Sequence, residues 1–240
     1  MGRYIMNTPC LIALMVRVPV VGEVKTRLIP ALGAEGACRL YRAMVEDLLE
    51  QVAATDMPLQ LFYTGGSREQ LPQTWRQVAQ SLCPQQGANL GARIDQALAT
   101  AFKTAARVLL IGSDIPDMDA TMLRNAAAAL RSHEVVLTPA VDGGYCLLGL
   151  NRDIDVAPIF QAMPWSTNQV LALTRHRLAG LGHRVHCLPP LRDIDTPADL
   201  LAYRCAFNPA AHRVNRVLAD LPPSSLIAQD IEPPGQAESP

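Results

Sequence analysis

The residues best suited to chemistry fall in three short stretches. "VVGEVKTRLIP" (20–30) sets Lys25, Thr26 and Arg27 behind Gly22. "LLIGSDIPDMDA" (109–120) places Asp114 directly after an apolar run. "LRDIDTPADLLAYR" (191–204) carries Asp193 and Asp195 one residue apart. Lysine offers a compact point charge and arginine a fork for two phosphate oxygens. The first stretch therefore reads either as a cradle for phosphates or as a solvated surface loop. It is not a P-loop, because the G-x-x-x-x-G-K-[ST] spacing is missing. As exposed loop charges, Lys25 and Arg27 are expected to leave the fold intact when replaced.

Asp114 suits a hard cation, since Mg²⁺ prefers one or two carboxylates plus substrate phosphates and water. A turn-forming aspartate is the other reading. Asp119 precedes "ATMLRNAAAAL" and should cap that helix, while Asp117 fits either role. In the third stretch Thr196, Pro197 and Asp199 spell a helix start. That leaves Asp193 and Asp195 unexplained, pointing to the same side if extended. Asp195 is the second candidate metal ligand, against the alternative of a supporting or solvated acid. "TPAVDGGYCLLGL" (138–150) puts Gly143 and Gly144 after Asp142, which permits either close approach to a ligand or a tight hairpin. In "MPWSTNQVLALTRHRLAGLG" (163–182), Ser166 or Thr167 reads as the cap of a helix ending near Gly180 or Gly182. Trp165 suits stacking on a base or plain packing. His183 and His186 would face opposite sides of a strand and make no metal pair.

The elements that must position these residues alternate along the chain. Apolar runs at 11–18, 58–63, 107–112, 134–138, 145–150 and 184–188 read as strands. Helical patterns at 34–54, 68–80, 91–105, 120–131, 167–180 and 197–206 lie between them. This order predicts an α/β sandwich with a mainly parallel sheet, whose ligands bind beyond the carboxyl ends of the strands.

With 240 residues, 49% of them hydrophobic, the chain can bury one sizeable core. We expect one domain over 1–207 and a Pro- and Ser-rich extension over 208–240, with a short helix near 210–219 and flexibility after about 220. A net charge of −1 argues against a nucleic-acid-coating surface or a polybasic membrane anchor. The early apolar run is too short to span a membrane, and the first residues do not resemble a signal peptide. Six scattered cysteines without a C-x-x-C pair read as reduced thiols of a cytoplasmic protein, not as a disulfide framework.

Taken in order, "PVVGEVKTRLIPALGAEGACRLY", "QQGANLGARI", "LIGSDIPDMD", "DGGYCLLGL", "PWSTNQVLALT" and "DIDTPADL" resemble the bacterial transferases associated with radical-SAM and selenodomain genes, some of them arsenosugar-biosynthesis-type glycosyltransferases. The resemblance spans roughly residues 9–206. That family is similar to the nucleotide-diphospho-sugar transferase superfamily, which implies a single-domain GT-A-like (Rossmann-like) α/β/α sandwich. It further implies a transferase that takes a nucleotide-sugar or NTP donor and a small-molecule acceptor, with Mg²⁺ or Mn²⁺. The nucleotide would meet Gly22, Lys25, Thr26, Arg27, Asn89, Gly91 and Arg93, with Lys25 and Asp114 catalytic. Asp114 and Asp195 would hold the metal, and Asp142, Gly143, Gly144, Tyr145 and Trp165 would face the acceptor. The chain departs from the family at Asn89, where an acid is frequent. Its first loop also lacks the longer Gly-rich signature of typical pyrophosphorylases. Glycosyl transfer is the first expectation, nucleotidyl transfer the alternative, and a non-catalytic nucleotide-binding module the third.

Overall fold

The computed structural model describes residues 10–206 and 208–220. Among these, seven strands form one sheet: β1 (Leu11–Arg17), β2 (Leu59–Thr64), β3 (Ser81–Pro84), β4 (Arg107–Ile111), β5 (Val135–Pro139), β6 (Tyr145–Asn151) and β7 (Val185–Cys187). Their spatial order is β3-β2-β1-β4-β6-β5-β7. Only β6 runs against its neighbours, pairing antiparallel with both β4 and β5. The helices are α1 (Ile29–Ala53), α2 (Gln73–Val78), α3 (Leu90–Ala101), α4 (Ala120–Ala129), α5 (Ala157–Phe160), α6 (Val170–Gly180), α7 (Pro197–Ala206) and α8 (His212–Ala219).

β1 is apolar along nearly its whole length because both of its faces are covered. Ile12, Leu14 and Val16 enter the core shared with α1, α2, α4, α7 and α8. Leu11 and Ala13 enter the opposite core, shared with α3, α5 and α6. Central strands of this kind hold their carboxyl ends rigidly, which is what a site on that edge requires.

Four sequence expectations are corrected locally. β3 was not foreseen, because Ser81–Pro84 is short and lacks β-branched residues. The helix expected over 68–80 is a 3-10 turn at Arg68–Gln70 followed by α2, because Pro72 cannot continue a helix from its preceding turn. The short α5 was also unforeseen. α6 begins at Val170, and neither Ser166 nor Thr167 caps it; Thr167 Oγ1 instead donates to Pro164 O at 2.7 Å. By contrast α1 changes direction at Gly33 (φ +70°), so its regular part starts at residue 34, as the pattern predicts.

α8 falls in the expected 210–219 window and packs on α1. Asp47 of α1, 3% exposed, receives hydrogen bonds from the backbone N–H groups of Arg213 (3.0 Å) and Val214 (2.9 Å), capping α8 from another helix. Val214 and Leu218 thereby join the main core. The flexible segment expected after about 220 lies outside the described residues. No helix among those residues is long and apolar enough to cross a membrane.

Candidate functional site

Three segments leave the carboxyl edge of the sheet and meet. The first follows β1 and is pinned by two buried side chains, Val24 (3% exposed) and Leu28 (0%). Between them Lys25 adopts a left-handed backbone (φ +47°), a conformation that costs a non-glycine residue about 1 kcal/mol. It turns the lysine inward. Lys25 Nζ reaches Asp114 Oδ2 at 2.7 Å and Asp195 Oδ1 at 3.4 Å. Arg27 Nη1 holds the other oxygen of Asp195 at 2.8 Å. The Lys25 side chain is 6% exposed and that of Arg27 71%. The two cations of the first stretch are therefore not alike, and the expectation that both are exposed loop charges is corrected for Lys25. Burial pulls the Lys25 ammonium down. The charge and hydrogen bond of Asp114, with Asp195 and Asp193, outweigh it and hold the pKa above its ordinary value.

The second segment leaves β4 through Gly112, Ser113 and Asp114. The third is tied to it directly, since Ile194 N donates to Asp114 O at 3.0 Å. Ile194 is fully buried, so its extended neighbours Asp193 and Asp195 both point away from the core. Thr196 and Asp199 form the foreseen reciprocal cap of α7: Thr196 N donates to Asp199 Oδ2 (2.8 Å) and Asp199 N to Thr196 Oγ1 (3.3 Å). The Asp195 backbone N–H also donates to Asp199 Oδ2 (3.4 Å), but its side chain is committed to the two cations.

Asp193 is half-buried beside two other carboxylates. Burial, then the charges of Asp114 and Asp142, push its carboxyl up to about 6. The cluster holds more negative charge than Lys25 and Arg27 balance. Tyr41, from α1, closes the back of the site: its hydroxyl accepts from Arg17 N at 2.8 Å and lies 3.2 Å from Ser113 Oγ. It ties the end of β1 to the turn that carries Asp114, and burial pushes the phenol up to about 12. Tyr41 closes the first of the stretches that carry the family resemblance, but no spacing marks it out from an apolar helix position.

A cavity of about 390 Å³ opens beside the charge cluster, with Asp114, Asp142, Tyr145, Trp165, Met15 and Gln85 on its walls. A second, of about 310 Å³, is lined by Arg27, Asp142, Asp193 and Asp195. Asp142 faces both. Its Oδ1 accepts from Gly144 N at 2.9 Å, and Gly143 takes φ +92° in the β5–β6 connection, so "DGG" is a hairpin turn that also borders the cavity. A side chain at Gly143 would strike the Asn168 backbone, so the close approach there is to the chain itself. Cys146, on the same wall, is no thiolate, since burial pushes it up to about 12.

The remaining candidates stand apart from the ion cluster. Asn89 caps α3, its Oδ1 accepting from Ala92 N at 3.0 Å, and Arg93 Nε donates to Gly87 O at 3.3 Å. Gly91 seats the Trp165 indole, whose Nε1 would lie 2.6 Å from an added Cβ. Gly22 (φ +85°) shapes the first loop, and Thr26 opens the 3-10 turn that leads into α1.

The family model described as "Uncharacterized protein conserved in bacteria (DUF2064)" matches residues 48–167. The chain belongs to the DUF2064 family. No curated protein matches this DUF2064 chain. Among solved structures it is similar to a Desulfovibrio desulfuricans G20 protein provisionally described as a nucleotide-diphospho-sugar transferase: 32% identity, TM-score 0.81, covering 90% of this chain and 95% of that one. A cytidylyltransferase from Leptospira borgpetersenii serovar Hardjo-bovis shares the fold at 14% identity (TM-score 0.57, 94% and 100% covered). A Methanothermobacter nucleotidyl transferase does so at 14% (TM-score 0.56, 86% and 99% covered).

Proposed function

We propose that the protein is a transferase that takes a group from a nucleotide-activated donor to a small-molecule acceptor, with the donor phosphates at Lys25, Arg27 and Asp114. The observation that carries this reading is the buried ammonium of Lys25, shared by Asp114 and Asp195 at the carboxyl edge and flanked by two cavities. A surface loop has no reason to bury a lysine in a left-handed conformation. A phosphate site does, because a charge fixed before the donor arrives needs no reorganisation during the reaction.

Glycosyl transfer from a nucleotide-sugar is the first reading. It agrees with the description of the 32%-identical Desulfovibrio protein and with the arsenosugar-type resemblance of the motifs. The acceptor side is Asp142, Gly143, Gly144, Tyr145 and Trp165, which border the larger cavity or shape its wall. Lys25 holds position through its carboxylates while the exposed Arg27 offers its guanidinium to the phosphates as a fork. Transfer then breaks the sugar–phosphate bond and leaves a nucleoside diphosphate. Nucleotidyl transfer, with attack at the α-phosphorus and release of pyrophosphate, is the second reading. The pairing of two cations on the first loop favours it.

Mg²⁺ or Mn²⁺ is part of the proposal. Asp114 and Asp195 already reach one ammonium, and Asp142 and Asp193 stand beside them on the cavity walls, so the donor set fits a further cation. Among the described residues no group of three or more His, Cys, Asp and Glu is placed to hold a metal. The ion would therefore take Asp114 and Asp195 together with donor phosphates and water, the shell Mg²⁺ prefers. When bound, it neutralises charge on the leaving diphosphate. A reducing cytoplasmic setting completes the reading, since all six cysteines are free. The test is a donor screen with Mg²⁺ and Mn²⁺ that detects nucleoside diphosphate and pyrophosphate separately. Diphosphate release supports the first reading and pyrophosphate the second; tight nucleotide binding with neither product would leave only a binding module.

A further inference from the structure

Gln85 directly follows β3, yet its side chain crosses β2 and reaches the end of β1. Its Nε2 donates to Phe62 O at 2.9 Å and to Val16 O at 3.1 Å, while its backbone N–H donates to Tyr63 O at 2.7 Å. These contacts fix which way the amide faces. Two carbonyl oxygens accept only from the NH₂ end, so the flipped amide would set oxygen against oxygen. Both Nε2 hydrogens are used. Oε1 is left as a pure acceptor, and among the described residues no donor reaches it.

Gln85 lines the larger cavity together with Met15, Leu90, Ile94 and Trp165, mostly apolar walls, and the same cavity runs to Asp114. An apolar slot with one oriented polar group at its edge is the usual form of a site for a flat heterocycle. The distribution of charge gives the direction: phosphates belong at the Lys25 end and the neutral ring at the Gln85 end. Resting on the nucleotide reading above, we propose that the donor's base lies in this slot and that Gln85 Oε1 accepts a hydrogen bond from its exocyclic amino group. A carbonyl at that ring position would face Gln85 Oε1 with no proton between them. The Val16 and Phe62 carbonyls beside it are acceptors as well, and the Thr64 hydroxyl on the same cavity can take either part, so the oriented amide is the group there that accepts without donating. Gln85 therefore selects amino-bearing over oxo-bearing bases of the same ring size, and the base contact moves from "GANLGARI", where Asn89 and Arg93 have structural partners, to the residue after β3.

The test compares matched pairs by calorimetric titration of the full chain with Mg²⁺: CTP against UTP, and ATP against ITP. Each pair differs at the ring carbon that carries the amino or oxo group. In whichever pair fits the slot, the amino member should bind at least about tenfold more tightly, since a buried polar partner left unmatched is strongly rejected. In Gln85→Met, with folding checked by circular dichroism, the ratio should fall to within about twofold. Equal affinities in the wild type, or a ratio unchanged in Gln85→Met, would overturn the assignment while leaving the nucleotide reading in place. No binding by any of the four would overturn both.

Discussion

Replacing Lys25 by Ala separates a buried site cation from a surface one. For a fully buried ion pair, removing one partner costs about 3–5 kcal/mol; for an exposed pair, about 0–1 kcal/mol. This pair lies between those limits. The Lys25 side chain is 6% exposed, but those of Asp114 and Asp195 are 33% and 38% exposed, and Asp195 keeps Arg27 at 2.8 Å. Asp114 is thus the carboxylate left without its hydrogen-bonded cation, and water screens part of its charge. A loss of about 2 kcal/mol follows, which for a chain of this size lowers the thermal midpoint by about 4–8 °C. Arg27→Ala, at a site 71% exposed, should cost less than about 1 kcal/mol. Urea unfolding and calorimetry of both variants measure the difference. In an Asp114→Asn background the cost of Lys25→Ala should fall by at least half, because the stranded charge is gone. Equal costs for Lys25→Ala and Arg27→Ala, or a Lys25→Ala cost unchanged by Asp114→Asn, would refute the claim that this lysine is held by its carboxylates.

Once a turnover assay exists, Asp114→Asn should cut the rate by at least about 10²-fold. Asp195→Asn should act in the same direction, and their double variant should lose less than the sum in free energy because both serve one centre. Asp193 has a native pKa raised to about 6, so the native state holds its proton more tightly than the unfolded chain. Its contribution to stability is full below about pH 4 and lost as pH rises through about 6. Asp193→Asn should therefore raise the thermal midpoint at about pH 7.5, and the gain should vanish below about pH 4; a gain independent of pH would contradict this origin. Asp47→Ala removes a buried acceptor from two backbone N–H groups and should cost about 2–3 kcal/mol, with hydrogen exchange of α8 rising before that of the sheet.

Much of this architecture is written locally in the chain. The runs that became β1, β4 and β6 are apolar because both faces of the sheet are covered, which makes them legible as near-continuous hydrophobic stretches. The caps at Asp119 and at Thr196 with Asp199 were legible because a cap is a contact between residues three apart. The convergence of Asp114 and Asp195, 81 residues apart in sequence, followed from the sheet's carboxyl edge and not from spacing. What stayed hidden depends on contacts between distant residues. The burial of Lys25 needs Val24 and Leu28 to anchor the loop and two carboxylates to receive the charge. The role of Asp193 needs Asp114 and Asp142 beside it. Gln85 follows a strand too short to announce itself and reads as one more polar loop residue. Asn89, expected to meet the nucleotide, is in addition a helix cap; its local hydrogen bond to Ala92 was available to the same reasoning that identified Asp119.

The most direct test of the central claim is the affinity of a nucleoside diphosphate, with Mg²⁺, for the wild type, Lys25→Ala and Arg27→Ala, measured at a temperature where all three are folded. If the first loop holds phosphates, the wild type binds, and each variant loses about 1.5–3 kcal/mol, or roughly 10- to 150-fold in Kd. Unchanged affinity in both variants would contradict the account and leave the buried Lys25 ion pairs as a structural feature of the fold.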